Sequence, residues 1–176
     1  MCLFGRLFKK DKKENIMPEI KTWEFTVEEL LKKSGETLDS IPASHKKNLE
    51  KLVSVVNKLG EMLPDNLKGP RLCNSGYRSS AKQMKIYKER AAKKQEPFTD
   101  GVFIESKVPV TAHCAGEAID INDPDGSLDN WLMDTPEGQK AVKELDLYVE
   151  NKKHTPHWCH VQIRKTKSGN RYFIPY

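Results

Sequence analysis

The chain has 176 residues, with 30 Lys and Arg against 25 Asp and Glu, a net charge of +5. Such a length predicts one domain of ordinary size that buries a core without disulfides. The basic excess lies mainly in the first fifteen residues, so the rest of the chain is nearly balanced in charge. This balance argues against the broad basic face of a nucleic-acid-binding protein, and we expect no nucleic-acid partner.

The N-terminal segment, residues 1–20, predicts a basic flexible tail ahead of a folded domain at 21–176. Its apolar run is shorter than the roughly 18 residues that span a bilayer, so we expect no stable membrane insertion. Its charges follow that run rather than precede it, which is not typical of a secretory signal, and we expect a protein made in the cytoplasm. The cysteines form no CxxC pair and are interpreted as reduced thiols.

The first half of the chain predicts mainly helices. Thr26 and Glu29 have the spacing of a capping box, and Gly35 follows as a helix terminator. The segment 44–62 carries its apolar residues on one face, as a core-packing helix does. Beyond the Gly69-Pro70 break, the pattern predicts a strand at 71–75 and a helix from Ser79 or Ser80 to about Lys94.

The second half predicts short strands, at 108–112, 117–121, 145–150, 159–164 and 171–174. Among them, Asp123-Pro-Asp-Gly126 predicts a turn, followed by helices capped by Ser127 and by Thr135. Because helices come first and mostly strands follow, the sequence predicts an α+β fold with helices packed on a small antiparallel sheet.

Two short segments about forty residues apart offer three metal ligands, His113, Asp120 and His160. A catalytic zinc ion typically takes three protein ligands and keeps a fourth position open. Strand alternation lets Asp120 and His160 face the same side of a sheet, whereas Cys114 and Cys159 alternate away. The sequence therefore predicts one Zn²⁺ site, with both cysteines in packing roles.

A hydrolase also needs a base for the attacking water and a cation for the developing oxyanion. His157 is the candidate base closest in sequence to His160, and Glu150, at the end of a predicted strand, is the other. Both alternatives stay open. Arg78 lies at a Gly-containing turn between a strand and a helix, where its side chain can reach a cleft and either stabilise the oxyanion or bind a substrate carboxylate.

Taken together, these segments resemble the zinc-dependent D-alanyl-D-alanine carboxypeptidases, peptidase family M15, in their order and spacing. The similarity covers roughly residues 22–176 and is closest to the small, phage-associated members. The matching motifs are Ser75-Gly-Tyr-Arg-Ser79 with Gln83 and Tyr87, Thr111-x-His113-x-x-Gly116-x-Ala118-x-Asp120, and Pro156-His-Trp-Cys-His160.

The resemblance implies the hedgehog/DD-peptidase fold, a catalytic zinc ion held by His113, Asp120 and His160, and cleavage of peptide bonds in peptidoglycan stem peptides. It also implies that the substrate contacts Arg78, Thr111 and Gln83. Two positions depart from the family pattern: Thr111 replaces a common Ser, and His157 stands where many members have the Glu of a Glu-x-x-His motif.

The expected protein is thus a monomeric zinc metallopeptidase whose partner is bacterial peptidoglycan peptide, reached after release from the cell or as part of a phage particle. D-Ala-D-Ala carboxypeptidase and endolysin-type endopeptidase activities share these motifs. The alternative is a non-catalytic wall-binding or virion-structural module with the same fold.

Overall fold

The computed structural model describes residues 23–94 and 111–174, so the predicted tail and most of the predicted strand at 108–112 lie outside the described residues. The helices are α1 (Val27–Lys32), α2 (Ala43–Met62), α3 (Ser80–Lys94), α4 (Ser127–Asp134) and α5 (Pro136–Glu144). The strands are β1 (Cys73–Ser75), β2 (Ala118–Asn122), β3 (Tyr148–Glu150), β4 (Trp158–Gln162) and β5 (Tyr172–Phe173). The predicted α+β class is confirmed. Within the described ranges, no helix is both long and apolar enough to cross a membrane.

Helix α1 begins with the predicted capping box. The Thr26 hydroxyl accepts a hydrogen bond from the Glu29 amide, and the Glu29 carboxylate accepts one from the Thr26 amide, each at 3.2 Å. These two bonds satisfy amides that the first helical turn leaves without partners. The helix ends at Lys32, and Gly35 follows with φ of +76°, which favours glycine.

The five strands form one sheet in the order β1-β2-β4-β3-β5. Strands β1, β2, β4 and β3 are antiparallel to their neighbours, but β5 runs parallel to β3. The predicted antiparallel arrangement therefore holds for β1, β2, β4 and β3, and β5 adds one parallel pair that makes the sheet mixed. Strand β5 is parallel to β3 for a topological reason. The chain reverses direction between β3 and β4 and again between β4 and β5, and β5 then pairs with the edge of β3 that β4 leaves free.

The two faces of the sheet have opposite character. One face is apolar and fully buried, and it joins residues of α1, α2, α4 and α5 in a single core. The sheet residues of this face are Ile119, Ile121, Val149, Cys159 and Val161. The other face carries Asp120, His160 and Gln162, as strand alternation requires. One face thus stabilises the fold, and the opposite face is left for chemistry.

The start of α4 differs from the prediction. Ser127 is not the cap, because Gly126 occupies that position with φ of +68° and makes no side-chain cap bond. Instead, the Asp123 carboxylate accepts hydrogen bonds from the amides of Leu128 and Asp129, at 3.1 and 3.0 Å. Arg71 pairs with the same carboxylate at 2.7 Å. At α5 the predicted Thr135 cap is confirmed.

Asp129 is a buried acid that makes the fold sensitive to pH. Its residue is 1% exposed, and its Oδ1 atom has no hydrogen-bond partner among the described residues. Burial raises the pKa of this carboxyl to about 6. The charge of Asp123 also raises the pKa, whereas a hydrogen bond with Cys159 lowers it. An ionised carboxylate in such a place costs stability.

Replacing Asp129 with Asn should stabilise the metal-free protein at neutral pH. The folded state binds this proton more tightly than the unfolded state, so wild-type stability falls as pH rises from about 4 to about 6. We expect Asp129→Asn to exceed wild type by about 2–3 kcal/mol in free energy of unfolding at pH 7, and by little at pH 4. Urea unfolding at both pH values measures this. An equal difference at the two pH values would contradict it, and exposed Asp39→Asn is the control.

Candidate metal centre

The metal-ligand candidates belong to a row of side chains that crosses four strands. Asp120 of β2 pairs directly with His160 of β4. The register of β3 with β4, in which Val149 pairs with Val161, extends to place Glu150 beside His160. Phe173 of β5 pairs with Glu150, and its ring lies 6.0 Å from that of His160. The sheet therefore presents a carboxylate, an imidazole, a second carboxylate and an aromatic ring in sequence on one face.

A tight loop brings His113 onto this row. The Thr111 hydroxyl accepts a hydrogen bond from the Cys114 amide at 3.2 Å, which closes the turn. Gly116 then takes φ of +74°, and a Cβ there would lie 2.8 Å from the backbone oxygen of His45. Both the backbone conformation and the close approach to α2 require glycine. The loop therefore turns His113 back over Asp120, seven residues later in the chain.

The three predicted ligands converge. The Asp120 Oδ1 atom lies 2.7 Å from His160 Nδ1 and 3.2 Å from His113 Nε2, and all three residues are buried. Among the described His, Cys, Asp and Glu residues, these three form a group that could hold a metal ion, because their ligand atoms lie within 4.8 Å of one another. Two imidazoles and a carboxylate match the donors that zinc takes in catalytic sites.

The outer ring nitrogen of His113 is held by the backbone. His113 Nδ1 lies 2.7 Å from the carbonyl oxygen of Gly76. A carbonyl only accepts, so Nδ1 carries the proton and Nε2 keeps its lone pair toward Asp120. A Cβ at Gly76 would lie 2.5 Å from the backbone oxygen of Leu30, so glycine is needed for this segment to pack against α1. The backbone thus orients His113 as a ligand.

The outer ring nitrogen of His160 is held by Gln162. Gln162 donates its amide Nε2 to the Arg164 carbonyl at 2.7 Å, which leaves Oε1 facing His160 Nε2 at 3.1 Å. His160 therefore donates through Nε2, and its Nδ1 atom, 2.7 Å from Asp120 Oδ1, hydrogen-bonds the carboxylate when protonated and offers its lone pair when the ring is neutral. Both lone pairs then face a carboxylate oxygen, an arrangement that repels unless a proton or a cation lies between them. The residues fit a zinc ion.

Replacing Gln162 with Leu should lower zinc affinity without unfolding the protein. The substitution removes the acceptor that orients His160, and such supporting partners typically contribute about 10- to 100-fold in metal affinity. Competition with a chromophoric chelator measures the dissociation constant. Gln139→Leu, on the exposed surface of α5, is the matched control. An affinity equal to that of the control would show that Gln162 does not orient the ligand.

The site is electrostatically coupled. Burial raises the pKa of Asp120, but the two histidines outweigh it and hold the pKa well below its ordinary value. Burial lowers the pKa of His113 more than Asp120 raises it. Burial also lowers the pKa of His160, but the hydrogen bond and charge of Asp120 outweigh this and the pKa is raised. Asp120 is therefore ionised and ready to bind a cation.

The buried cysteines take no part in the centre. Cys159 lies on the apolar face of the sheet, and burial raises its pKa well above the ordinary value. Cys114 lies within the ligand loop, where its sulfur accepts a hydrogen bond from the Thr111 hydroxyl at 3.2 Å. Cys159 thus has the packing role predicted from strand alternation, whereas Cys114 lies in a turn, to which strand alternation does not apply.

The centre opens into a cleft with a volume of about 670 Å³, within the range of substrate sites. Glu150 lines this cleft with the three ligands. Burial raises the pKa of Glu150, with a contribution from Asp120 and against the charge of His160. A carboxylate with a raised pKa beside a metal site is suited to accept a proton.

His157, the other predicted base, is not brought to the cleft. Its side chain is exposed and absent from the cleft lining, and its backbone carbonyl accepts a hydrogen bond from Asp123 at the turn before α4. His157 precedes β4, so the alternation that directs Trp158 and His160 into the cleft directs it away. Of the two base candidates, the geometry favours Glu150.

The three predicted substrate contacts all line the cleft, but they differ in how many of their polar atoms remain available to a substrate. Arg78 donates from Nη2 to Asp120 Oδ2 at 2.7 Å and from Nε to Ser75 at 2.9 Å, which leaves Nη1 facing no described partner. The Thr111 hydroxyl is engaged with Cys114. Gln83 is 3% exposed, and its Oε1 atom has no partner in the described ranges.

Sequence reasoning missed several residues of the cleft. Strand alternation puts Gln162 on the same face as His160, but the sequence assigned it no role. Helical spacing from Gln83 would have found the next members on α3, whereas no sequence signal indicated His154, which a loop brings to the cleft. The additional lining residues are Tyr87, Arg90, Lys93, Ala112, His154, Trp158, Gln162 and Phe173.

Comparison with known proteins gives one weak likeness. No protein-family model matches this chain, and no curated protein matches it. Among solved structures, it is similar to the crystal structure of the Serratia marcescens L-Ala D-Glu endopeptidase ChiX, with 19% sequence identity and a TM-score of 0.38. The similarity covers 74% of this chain and 93% of that one. At this level the likeness decides neither the family nor the reaction.

Proposed function

We propose that this chain is a zinc-dependent peptidase that cleaves peptide bonds in peptidoglycan stem peptides, as a D-Ala-D-Ala carboxypeptidase or an endolysin-type endopeptidase. The observation that carries the proposal is the convergence of His113, Asp120 and His160 beside Glu150 in an open cleft. Three ligands, a neighbouring carboxylate and a nearby guanidinium are the parts that metal-assisted hydrolysis requires. The motif resemblance described above supplies the substrate class.

Each residue has a distinct task in this proposal. Zinc, when bound, would polarise the substrate carbonyl and make a water nucleophilic at neutral pH. Glu150 accepts the proton of the attacking water and returns it to the leaving amine. Arg78 fixes the second oxygen of Asp120 and directs its remaining Nη1 toward the substrate carbonyl, where negative charge develops.

The same proposal covers the domain, its oligomeric state, its place of action and its substrate contacts. Residues 21–176 form the peptidase domain, which acts as a monomer on the bacterial cell wall after release from the cell or within a phage particle. Gln83, whose Oε1 atom has no partner in the described part of the chain, is the better placed of the two polar substrate contacts, because the Thr111 hydroxyl is bonded within its own turn.

Digestion of purified peptidoglycan tests this function. Zinc-loaded protein should release fragments whose masses correspond to cleavage of one type of peptide bond, and each cleavage should create a new amine. A chelator should stop the reaction, and added zinc should restore it. Protein with one bound zinc that leaves peptidoglycan and synthetic stem peptides intact would overturn the proposal and favour a non-catalytic wall-binding module.

A further inference from the structure

One wall of the cleft is formed by α3, which carries Gln83, Arg90 and Lys93 into the lining. The helix starts at Ser80, two residues after Arg78, whose side chain contacts Asp120. Because an α-helix rises about 1.5 Å per residue, Arg90 lies roughly 10 Å beyond Gln83 along the axis. The helix therefore follows Arg78 directly and places its basic residues along one wall of the cleft.

Both basic residues are open to a ligand. Arg90 and Lys93 are exposed, and no carboxylate in residues 23–94 or 111–174 forms an ion pair with either of them. By contrast, Lys85 on the same helix lies outside the cleft, with Glu89 at 4.0 Å. Burial raises the pKa of Glu150, and the positive charge of Arg90 is among the influences that lower it. The charge of Arg90 therefore acts within the cleft.

The two carboxylates of the cleft form no ion pair with Arg90 or Lys93. Asp120 is already bonded to Arg78 and both histidines. Glu150 stands in the row with the metal ligands, where the proposed reaction uses it. The α3 wall of the cleft therefore carries positive charge that no carboxylate among the described residues engages in an ion pair.

Building on the proposed function, we infer that Arg90 and Lys93 form an anion subsite that binds a carboxylate of the peptide substrate about three residues beyond the substrate residue that Gln83 contacts. An extended peptide advances about 3.3–3.6 Å per residue, so roughly three residues span the distance from Gln83 to Arg90. A guanidinium binds a carboxylate through two parallel hydrogen bonds, and the neighbouring ammonium adds charge. The subsite selects acidic peptides.

Paired synthetic peptides test this inference. In each pair, one peptide carries a glutamate and the other a glutamine, placed one, two, three or four residues from the cleaved bond. Wild type should prefer glutamate about tenfold in kcat/KM at one of these positions, through a lower KM, and added salt should weaken the preference. Arg90→Glu/Lys93→Glu should lose the preference or reverse it.

The matched control is Lys140→Glu/Lys143→Glu, which makes the same charge change at the same spacing on the exposed side of α5 and should keep the preference. Binding of the same peptides to the zinc-loaded proteins separates the two claims. Cleavage without a glutamate preference overturns the subsite and leaves the peptidase proposal intact. Binding with that preference but without cleavage supports the subsite and overturns the peptidase proposal, and no binding and no cleavage overturns both.

Discussion

Glu150→Gln should lower kcat by two to four orders of magnitude, while zinc content and KM stay close to those of wild type. Glutamine has nearly the shape of glutamate but cannot accept a proton, and a positioned general base typically contributes about 10²–10⁴-fold. Glu150 is the carboxylate that the β3–β4 register places beside His160. Initial rates on a synthetic stem peptide, with zinc measured in the same sample, give the result.

His157→Gln is the matched comparison, because it changes the other candidate base in an exposed position outside the cleft lining. We expect it to retain wild-type activity. The assignment of Glu150 is contradicted if His157→Gln loses activity while Glu150→Gln retains it. A loss in both variants with normal zinc would mean that the two groups act together.

Asp120→Asn should abolish tight zinc binding and, with it, peptide cleavage. Asp120 provides the oxygen that both histidines face and is held ionised by them, with its pKa well below the ordinary value. The amide removes the charge that attracts the cation. Residues that only support ligands contribute about 10- to 100-fold in affinity, so losing a ligand should cost more than a hundredfold.

Thermal unfolding with and without zinc measures this loss independently of activity. Zinc should raise the Tm of wild type, because a ligand that binds only the folded state stabilises it by mass action. The Tm of Asp120→Asn should not respond to the same zinc concentration, whereas Asp65→Asn, an exposed change, should respond as wild type does. An unchanged zinc response in Asp120→Asn would exclude Asp120 as a ligand.

Local chemistry explains why parts of the fold were predictable. The capping box of Thr26 and Glu29 uses bonds within one helical turn, so four residues are enough to identify it. Strand alternation likewise placed Asp120 and His160 on one face without knowledge of the sheet. The structure confirms this placement, because Asp120 pairs directly with His160. A register shifted by one residue would turn such charged groups into the core, so the sequence specifies this pairing strongly.

Longer-range features were not predictable. The direction of β5 depends on which sheet edge remains free after β4 is paired, and no periodicity within the strand records this. Asp123 replaces Ser127 as the source of cap bonds because it is fixed by Arg71, fifty-two residues away in the chain. His157 stood at the position favoured by motif spacing, yet the chain turns before β4 and leaves it exposed, whereas Glu150 reaches the site through strand register.

Every step proposed for this protein depends on the metal centre, and zinc K-edge X-ray absorption on the purified protein tests it most directly. We expect one zinc per chain with only nitrogen and oxygen neighbours at about 2.0–2.2 Å, including two imidazoles, and no sulfur. His113→Ala should lose the ion. A sulfur neighbour at about 2.3 Å, or zinc retained in His113→Ala with an unchanged spectrum, would contradict the assignment of His113, Asp120 and His160.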